Sequence, residues 1–310
     1  MGGYVGRLAP SPTGALHLGN ARTFMIAWLR ARSLGGRVVM RMEDLDHPRD
    51  KPGAAAQALD DLRWLGFDWD VEYVQSTRKA VYRDAIEALL SKGLAYPCTC
   101  SRKDVESAQS APHQGEQLYY PGTCRGRFGT WAEAAAAISP RVPCWRFDMR
   151  GFPGEVSFVD VFAGSFGMDV SRTLGDFPLA RDSGGAGYTL AVVVDDAMMG
   201  VTEVVRGDDL LPATPAQIVL QRALGFARPA YCHVPLVVGE DGKRLAKRHG
   251  DTRIAGYRAN GVPPEKIIGA LAASCGWAGE GEHIALPDLV GRFSLSSIPH
   301  SPCKASLLGL

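Results

Sequence analysis

The sequence predicts an α/β fold in which a parallel sheet is covered by helices and interrupted by an inserted segment. Two observations predict it. Strand-like and helix-like segments alternate from Tyr4 to Ala95, the pattern of parallel strands joined by helical crossovers. Sheet-like sequence then resumes only after residue 187, beyond a long stretch rich in Gly, Ser, Pro and Cys with few helical signals.

The first strand runs into Arg7-Leu8-Ala9-Pro10-Ser11-Pro12-Thr13-Gly14, a punctuated turn that ends at a helix start near His17. Ala21, Phe24, Met25, Trp28 and Leu29 mark one face of that helix, and Gly35-Gly36 closes it. Arg37–Met42 reads as the next strand. It delivers Glu43-Asp44-Leu45-Asp46 to the place where a parallel strand opens onto a cleft. Helices are predicted at Ala54–Leu65 and Lys79–Lys92. Within the insertion few helices are clear besides Trp131–Ile138. Beyond it, Leu190-Ala191-Val192-Val193-Val194-Asp195-Asp196 reads as a strand, and so does Glu203–Asp209. A helix at Thr214–Leu224 and a strand at Val234–Val238 follow. A hairpin turn with Asp241-Gly242 at its tip then presents the basic loop Arg244-Leu245-Ala246-Lys247-Arg248. The tail reads as helical, with Pro263-Pro264-Glu265 as a helix start. The expected divisions are 1–95 and 188–250 for the two halves of the sheet domain, 96–187 for the insertion and 251–310 for the tail.

Composition narrows the function. A chain of 310 residues with 46% apolar and 22% charged residues folds around one large core or two modest ones. A net charge of +1 excludes a global nucleic-acid footprint, so any RNA contact must use local patches. Neither a secretory leader pattern nor an apolar run of membrane length is present, so a cytoplasmic location without a membrane partner is expected. Seven cysteines, an odd number, argue for reduced thiols or a bound metal over a disulfide framework.

Two segments carry chemistry. Pro10 and Pro12 stiffen the N-terminal turn, while Gly14 and Gly19 let backbone approach a ligand closely. His17 and Asn20 can donate to phosphate oxygens at a helix N-terminus, and Lys247 supplies a distant cation. These are the parts needed to bind and cleave a nucleoside triphosphate, although an ordinary strand–turn–helix connection uses the same residue types. Gly239–Arg244 is no P-loop, for it lacks the Ser/Thr after its lysine and the required glycine spacing. Cys98, Cys100 and Cys124 supply three thiolates; with one more donor they would close a tetrahedral zinc site that pins a poorly cored segment. Three buried free thiols are the alternative. His113 is the chemically conventional fourth donor. Cys144, Cys232, Cys275 and Cys303 have no partners at suitable spacing and read as small buried hydrophobes.

Pro10-Ser11-Pro12-Thr13-Gly14 followed by His17-Leu18-Gly19-Asn20 closely resembles the N-terminal signature of the class I glutamyl-type aminoacyl-tRNA synthetases. Met42–Asp46 also resembles that family, and Arg244–Arg248 stands where its Lys-Met-Ser-Lys-Ser loop would be. The resemblance covers roughly residues 4–290. It implies a Rossmann-like parallel sheet with a zinc-bearing insertion and a short C-terminal helical cap. It further implies that His17, Asn20 and Lys247 are catalytic, with Pro10, Thr13, Gly14 and Gly19 completing a site for ATP and its Mg²⁺. Arg7, Ala9, Ser11, Glu43, Tyr188 and Arg206 match the glutamate pocket, where an arginine fork grips a carboxylate and Glu43 receives the ammonium. The family's short paralogues hold zinc with a Cys-x-Cys pair and a Tyr-x-x-x-Cys pair, which here gives Cys98, Cys100, Tyr120 and Cys124. Tyr120 has that spacing and Tyr119 does not, and His113 remains its rival. Two departures stand out. Arg244 replaces the first lysine of the loop and keeps its charge, whereas Ala246 replaces the central serine and loses a hydroxyl.

The chain ends at Leu310, soon after that loop, which leaves room for a helical cap but not for an anticodon-binding domain. The resemblance is accordingly strongest to the short glutamyl-queuosine tRNA(Asp) synthetases. These activate glutamate without tRNA and transfer it to the queuosine base at the anticodon wobble position. The partners so implied are ATP, L-glutamate and tRNA(Asp) carrying queuosine, acting on a monomer, with Arg125 and Arg127 as candidate phosphate contacts. Three other readings stay open. One is a truncated glutamyl-tRNA synthetase charging a tRNA 3′ end. Another is a non-catalytic RNA-binding paralogue, against which His17, Glu43, Arg206 and Lys247 argue. The last is a different nucleotidylyl-transferase of the same fold, which would lack the pocket set.

Overall fold

The computed structural model describes residues 3–45, 52–108, 118–181, 185–245 and 252–310. Strand β1 (Val5–Leu8) leads through the Pro/Gly turn into helix α1 (Leu18–Ser33), and β2 (Arg37–Met42) returns parallel to β1 with Arg7 opposite Val39. Helix α2 (Ala54–Trp64) crosses over to β3 (Val71–Val74), which pairs in parallel on the other side of β2, and α3 (Lys79–Ser91) follows. Helix α1 buries Ala21, Met25, Trp28 and Leu29 as its apolar spacing requires, while Phe24 is only half-buried.

The insertion comprises β4 (Ala95–Cys98), α4 (Arg102–Ala108), α5 (Trp131–Ile138), β5 (Cys144–Phe147), β6 (Glu155–Asp160), β7 (Gly164–Asp169), α6 (Val170–Thr173) and β8 (Pro178–Ala180). Strand β5 lies between β4 and β8, antiparallel to both, and β6 and β7 form a hairpin. Along β6 exposed and buried residues alternate strictly, the mark of a strand with one face on a core.

The sheet then resumes with a difference. Leu190–Asp196 lies in helix α7 (Tyr188–Met198), not in a strand. Every residue from Leu190 to Asp196 is buried, so the helix has no polar face there to reveal its period, and its three valines favour the strand reading. The helical geometry matters. Consecutive residues diverge by about 100°, so the two aspartates serve different neighbours. Asp195 accepts from Gln75 Nε2 (2.9 Å), Arg78 Nε (2.7 Å) and Tyr82 Oη (2.7 Å), whereas Asp196 accepts from Arg41 Nη1 at 2.6 Å.

Strand β9 (Glu203–Gly207), helix α8 (Thr214–Leu224) and strand β10 (Ala230–Val234) follow, with β9 and β10 parallel. Strand β9 flanks β1 through Thr202, whose amide donates to Val5 O and whose hydroxyl accepts the Val5 amide, both at 2.9 Å. The strand predicted at Val234–Val238 is broken at Pro235, which has no N–H to give; β11 (Val237–Val238) is a separate piece. After α9 (Ile254–Ala259) and α10 (Pro264–Ala273) the tail is less helical than its sequence suggests. It continues in 3₁₀ turns and ends in β12 (Cys303–Lys304), parallel to β11.

Two large cores form among the described residues. One packs α1, β1 and β2 against tail residues such as Ile268, Leu271, Leu286 and Leu289. The other joins α3, α7 and α8 to Phe147, Val156, Phe158 and Leu179 of the insertion, which therefore shares its core with the sheet domain. Among the described residues, Tyr96, Cys98, Val105, Tyr120 and Cys124 form a small separate cluster. No helix among the described residues is long and apolar enough to cross a membrane.

Candidate active site

The ends of β1, β2 and β9, the start of α7 and the N-terminus of α1 surround a cavity of about 390 Å³. Pro10, Thr13, Gly14, His17, Gly19 and Asn20 line it, and so do Arg7, Ala9, Ser11, Glu43, Tyr188 and Arg206. Arg244 borders the same space. Asp46, His113, Ala246, Lys247 and Arg248 lie outside the described residues.

His17 is the N-cap of α1. Its Nδ1 accepts the Asn20 amide at 3.3 Å, and Asn20 Oδ1 accepts the His17 amide at 3.4 Å, a capping box made from His and Asn. Acceptance at Nδ1 places the ring proton on Nε2. Burial, with Arg244 adding to it, pushes the imidazole down to about 4, so His17 is a neutral N–H donor at neutral pH. Gly19 makes the arrangement possible, because a Cβ there would stand 3.1 Å from two atoms of the ring. The Leu18 amide is used by Thr252 O at 3.0 Å, and the Asn20 amide by His17. Among the described residues the Gly19 amide is thus the open donor of this first turn, at an end of the helix that favours anions.

Across the cavity, β11 continues into the hairpin whose tip, Gly242, adopts φ +69°, and Gly239 N donates to Lys243 O at 2.8 Å. Arg244 emerges from it and donates to Asp209 Oδ2 at 3.0 Å.

The floor is a buried charge cluster. Arg41, fully enclosed, donates to Glu43 Oε1 (2.9 Å) and Asp196 Oδ1 (2.6 Å). Burial works against its charge, and the two carboxylates more than compensate, holding it above its ordinary value. The Glu43 amide donates to Pro10 O at 2.9 Å, which fastens the end of β2 to the turn. Arg7 is also buried; its Nη1 donates to Val205 O at 2.7 Å, while its Nε has no hydrogen bond and stands 3.9 Å from Asp196. Burial pushes the Arg7 guanidinium down, with Asp196 opposing. A guanidinium held in this way has an anion nearby but no carboxylate hydrogen-bonded to it, which a bound carboxylate would supply. Tyr188, 44% exposed, sits at the rim.

Arg206 is held more tightly than any sequence signal suggested. Its Nε donates to His233 Nε2 at 3.0 Å, and its Nη2 to Thr214 Oγ1 (2.9 Å) and Gln217 Oε1 (2.8 Å). His233 Nδ1 lies 2.6 Å from Asp160 Oδ2. Sequence reasoning missed Asp160, His233, Arg41 and Asp196. The one signal available is a polar residue inside an apolar strand, as His233 is in Tyr231-Cys232-His233-Val234.

The thiol cluster is a separate feature of the insertion. The sulfurs of Cys98, Cys100 and Cys124 all lie within 4.8 Å of one another, with Cys100 and Cys124 at 3.6 Å. Tyr120 Oη lies 3.2 Å from Cys98 Sγ and 3.6 Å from Cys100 Sγ. Thiolates around a tetrahedral zinc with bonds of about 2.3 Å stand roughly 3.8 Å apart, so this donor set fits the ion. Tyr120 is fixed by its amide to Leu174 O (2.8 Å) and by the close approach of Gly175, where a Cβ would fall 2.0 Å from Tyr120 O. Arg146 lies 3.8 Å over the Tyr120 ring and donates to Cys98 Sγ at 3.2 Å. Cys144 faces Cys98 across the β4–β5 pair but lies outside the three-sulfur group. Arg125 is engaged by both oxygens of Asp176 (2.5 and 2.8 Å), a structural ion pair rather than a free phosphate contact; Arg127 is exposed, over Phe128.

The chain as a whole is similar to known proteins. The family model described as tRNA synthetases class I (E and Q), catalytic domain, matches residues 5–293. A glutamyl-Q tRNA(Asp) synthetase of Symbiobacterium thermophilum is 47% identical over 310 residues, covering 96% of this chain and 95% of its own. A glutamate–tRNA ligase of Oleidesulfovibrio alaskensis is 40% identical over 304 residues, covering 97% of this chain and 63% of its own. The crystal structure of a glutamate tRNA ligase from Elizabethkingia meningosepticum in complex with its amino acid superposes with a TM-score of 0.81 at 25% identity, covering 98% of this chain and 68% of that one.

Proposed function

Because the chain belongs to the class I tRNA synthetases (E and Q), as their catalytic domain, we propose that its cavity activates L-glutamate with ATP. Activation needs no tRNA, and glutamate then passes to the queuosine base at the wobble position of tRNA(Asp). One observation carries this reading: remote segments converge on a single cavity with a neutral histidine donor at one end and an under-satisfied buried arginine at the other. The choice of acceptor leans on the relatives named for it, 47% identical over 95% of the length of the Symbiobacterium protein.

The phosphates of ATP lie at the N-terminus of α1, facing His17 Nε2–H, Asn20 and the Gly19 amide. The glutamate side-chain carboxylate takes up the free capacity of Arg7 and Arg206, and Glu43 faces the ammonium. An α-carboxylate oxygen attacks the α-phosphorus, a P–O bond forms as the bond to the bridging oxygen breaks, and pyrophosphate leaves. Such a transfer needs alignment and charge stabilisation more than covalent help. The His17 donor contributes about 3 kcal/mol on the scale of a preorganised oxyanion donor. Mg²⁺ bound with ATP would offset phosphate charge. Lys247, outside the described residues, is assigned to the same phosphates by resemblance. In the second step a hydroxyl of the queuosine cyclopentenediol attacks the acyl carbon and AMP leaves. Cys98, Cys100, Cys124 and Tyr120 would hold zinc, which would pin β4 and the segment after it to the rest of the insertion.

Pyrophosphate exchange with glutamate and ATP, tRNA withheld, tests the first step, and no exchange would overturn it. Transfer to tRNA(Asp) with and without queuosine tests the second; labelling confined to a tRNA 3′ end would favour the truncated-synthetase reading.

A further inference from the structure

We infer that Asp160 and His233 are positioning residues for Arg206: the hairpin of the insertion sets, through one histidine tautomer, the orientation of an arginine in the amino-acid pocket. The inference rests on the reading of Arg206 as a glutamate-binding residue.

The hydrogen-bond logic leaves one arrangement. A guanidinium can only donate, so His233 Nε2, 3.0 Å from Arg206 Nε, must accept. The ring proton is therefore on Nδ1, which donates to Asp160 Oδ2 at 2.6 Å. The other oxygen of Asp160 accepts the amides of Phe162 (3.0 Å), Ala163 (2.8 Å) and His233 itself (3.0 Å). With both oxygens engaged, the carboxylate cannot turn without losing several bonds. A flip of the ring would turn C–H groups towards Asp160 and Arg206, and the other tautomer would set N–H against N–H at Arg206.

The surroundings are built for the same end. Arg206 is 5% exposed, His233 1% and Asp160 2%, so water is not available to replace a lost partner. Gln217 gives its Oε1 to Arg206 at 2.8 Å even though its own Nε2 is then left without a partner. The Tyr231 ring lies 5.6 Å under the guanidinium. Nε and Nη2 are thus committed, and Nη1 is the end left for a ligand in the cavity that Arg206 lines. The Val161 amide, donating to Tyr231 O at 2.8 Å, locks the tip of the β6–β7 hairpin to β10. The pocket's arginine consequently takes its orientation from a residue of the insertion.

Asp160→Asn is the sharpest test. The three amides favour keeping an oxygen where Oδ1 stands, so the new amide nitrogen faces His233 Nδ1 and drives the ring proton to Nε2, against Arg206. The same loss of tautomer control is known from the serine-protease triad. Pyrophosphate exchange is measured for the wild type, Asp160→Asn, His233→Phe and His233→Gln, varying glutamate and ATP separately. Asp160→Asn and His233→Phe are expected to raise the KM for glutamate at least tenfold and to leave that for ATP within twofold. His233→Gln, which can offer an oxygen to Arg206 and an N–H to Asp160, restores most of the loss. An unchanged glutamate KM, or equal rises in both KM values with a matching fall in melting temperature, overturns the proposal. Nitrogen-15 NMR of the His233 ring gives an independent readout: Nδ1–H supports the relay and Nε2–H overturns it. That readout stands even if the wild type shows no glutamate-dependent exchange, which would sink the pocket reading instead, or if His233→Phe does not fold.

Discussion

The imidazole of His17 accepts the amide of Asn20 at 3.3 Å while the side chain of Asn20 accepts the amide of His17 at 3.4 Å. One residue therefore both starts a helix and offers a donor to the cavity, and substitution can separate the two roles. His17→Asn keeps a good cap and should stay within about 0.5 kcal/mol of wild-type stability, yet lose about 10²-fold in pyrophosphate exchange. His17→Ala should lose similar activity and about 1 kcal/mol of stability as well. Urea unfolding and exchange rates on the same preparations check both.

His17 takes its proton near pH 6.5 when unfolded but only at about 4 in the fold, because burial and Arg244 oppose its charge. Between those values the unfolded chain binds more protons. The stability linked to His17 is therefore fully present above pH 6.5 and is lost progressively as the pH falls towards 4. The full effect approaches roughly 3 kcal/mol. An NMR titration of the His17 ring should show a midpoint far below that of an ordinary histidine. His17→Asn should flatten this part of the stability profile.

Gly19→Ala puts a methyl 3.1 Å from the His17 ring while adding a better helix former. Stability should change by less than about 1 kcal/mol in either direction. Activity should fall at least tenfold, since the ring must shift by a few tenths of an ångström. Parallel losses in stability and activity would argue against this account.

Arg41 is the only bridge between Glu43 and Asp196 among the described residues. Arg41→Met removes the cation shared by the buried Asp196 and the half-buried Glu43 and should cost about 3–5 kcal/mol. Adding Asp196→Asn should return part of that loss, measurable by denaturant unfolding of the single and double variants.

The thiol cluster predicts one zinc per chain by elemental analysis. Cys124→Ser and Tyr120→Phe should reduce the bound zinc, Cys144→Ser should not, and a chelator should lower the melting temperature of the wild type. Full zinc in Tyr120→Phe would remove Tyr120 from the ligand set.

Elements whose signals are local were legible in the chain. The turn of Pro10, Pro12 and Gly14 leads into α1, Thr214–Leu224 is a helix at those bounds, and α10 begins at Pro264. Helix α7 was not legible, because a helix enclosed on all sides presents valine after valine and no polar face. The strand break at Pro235 was legible in principle, since proline cannot donate to a ladder.

By itself the sequence determined the alternation of elements up to Ala95, the motif residues and the three cysteines, all properties of residue type and spacing. Only the tertiary structure decided which buried charges meet. Arg41 lies between Glu43 and Asp196, and Arg206 takes its direction from His233 and Asp160. Those pairings join strands and helices far apart in the chain. They follow from which groups are left without water once the cores close, and no local pattern records that.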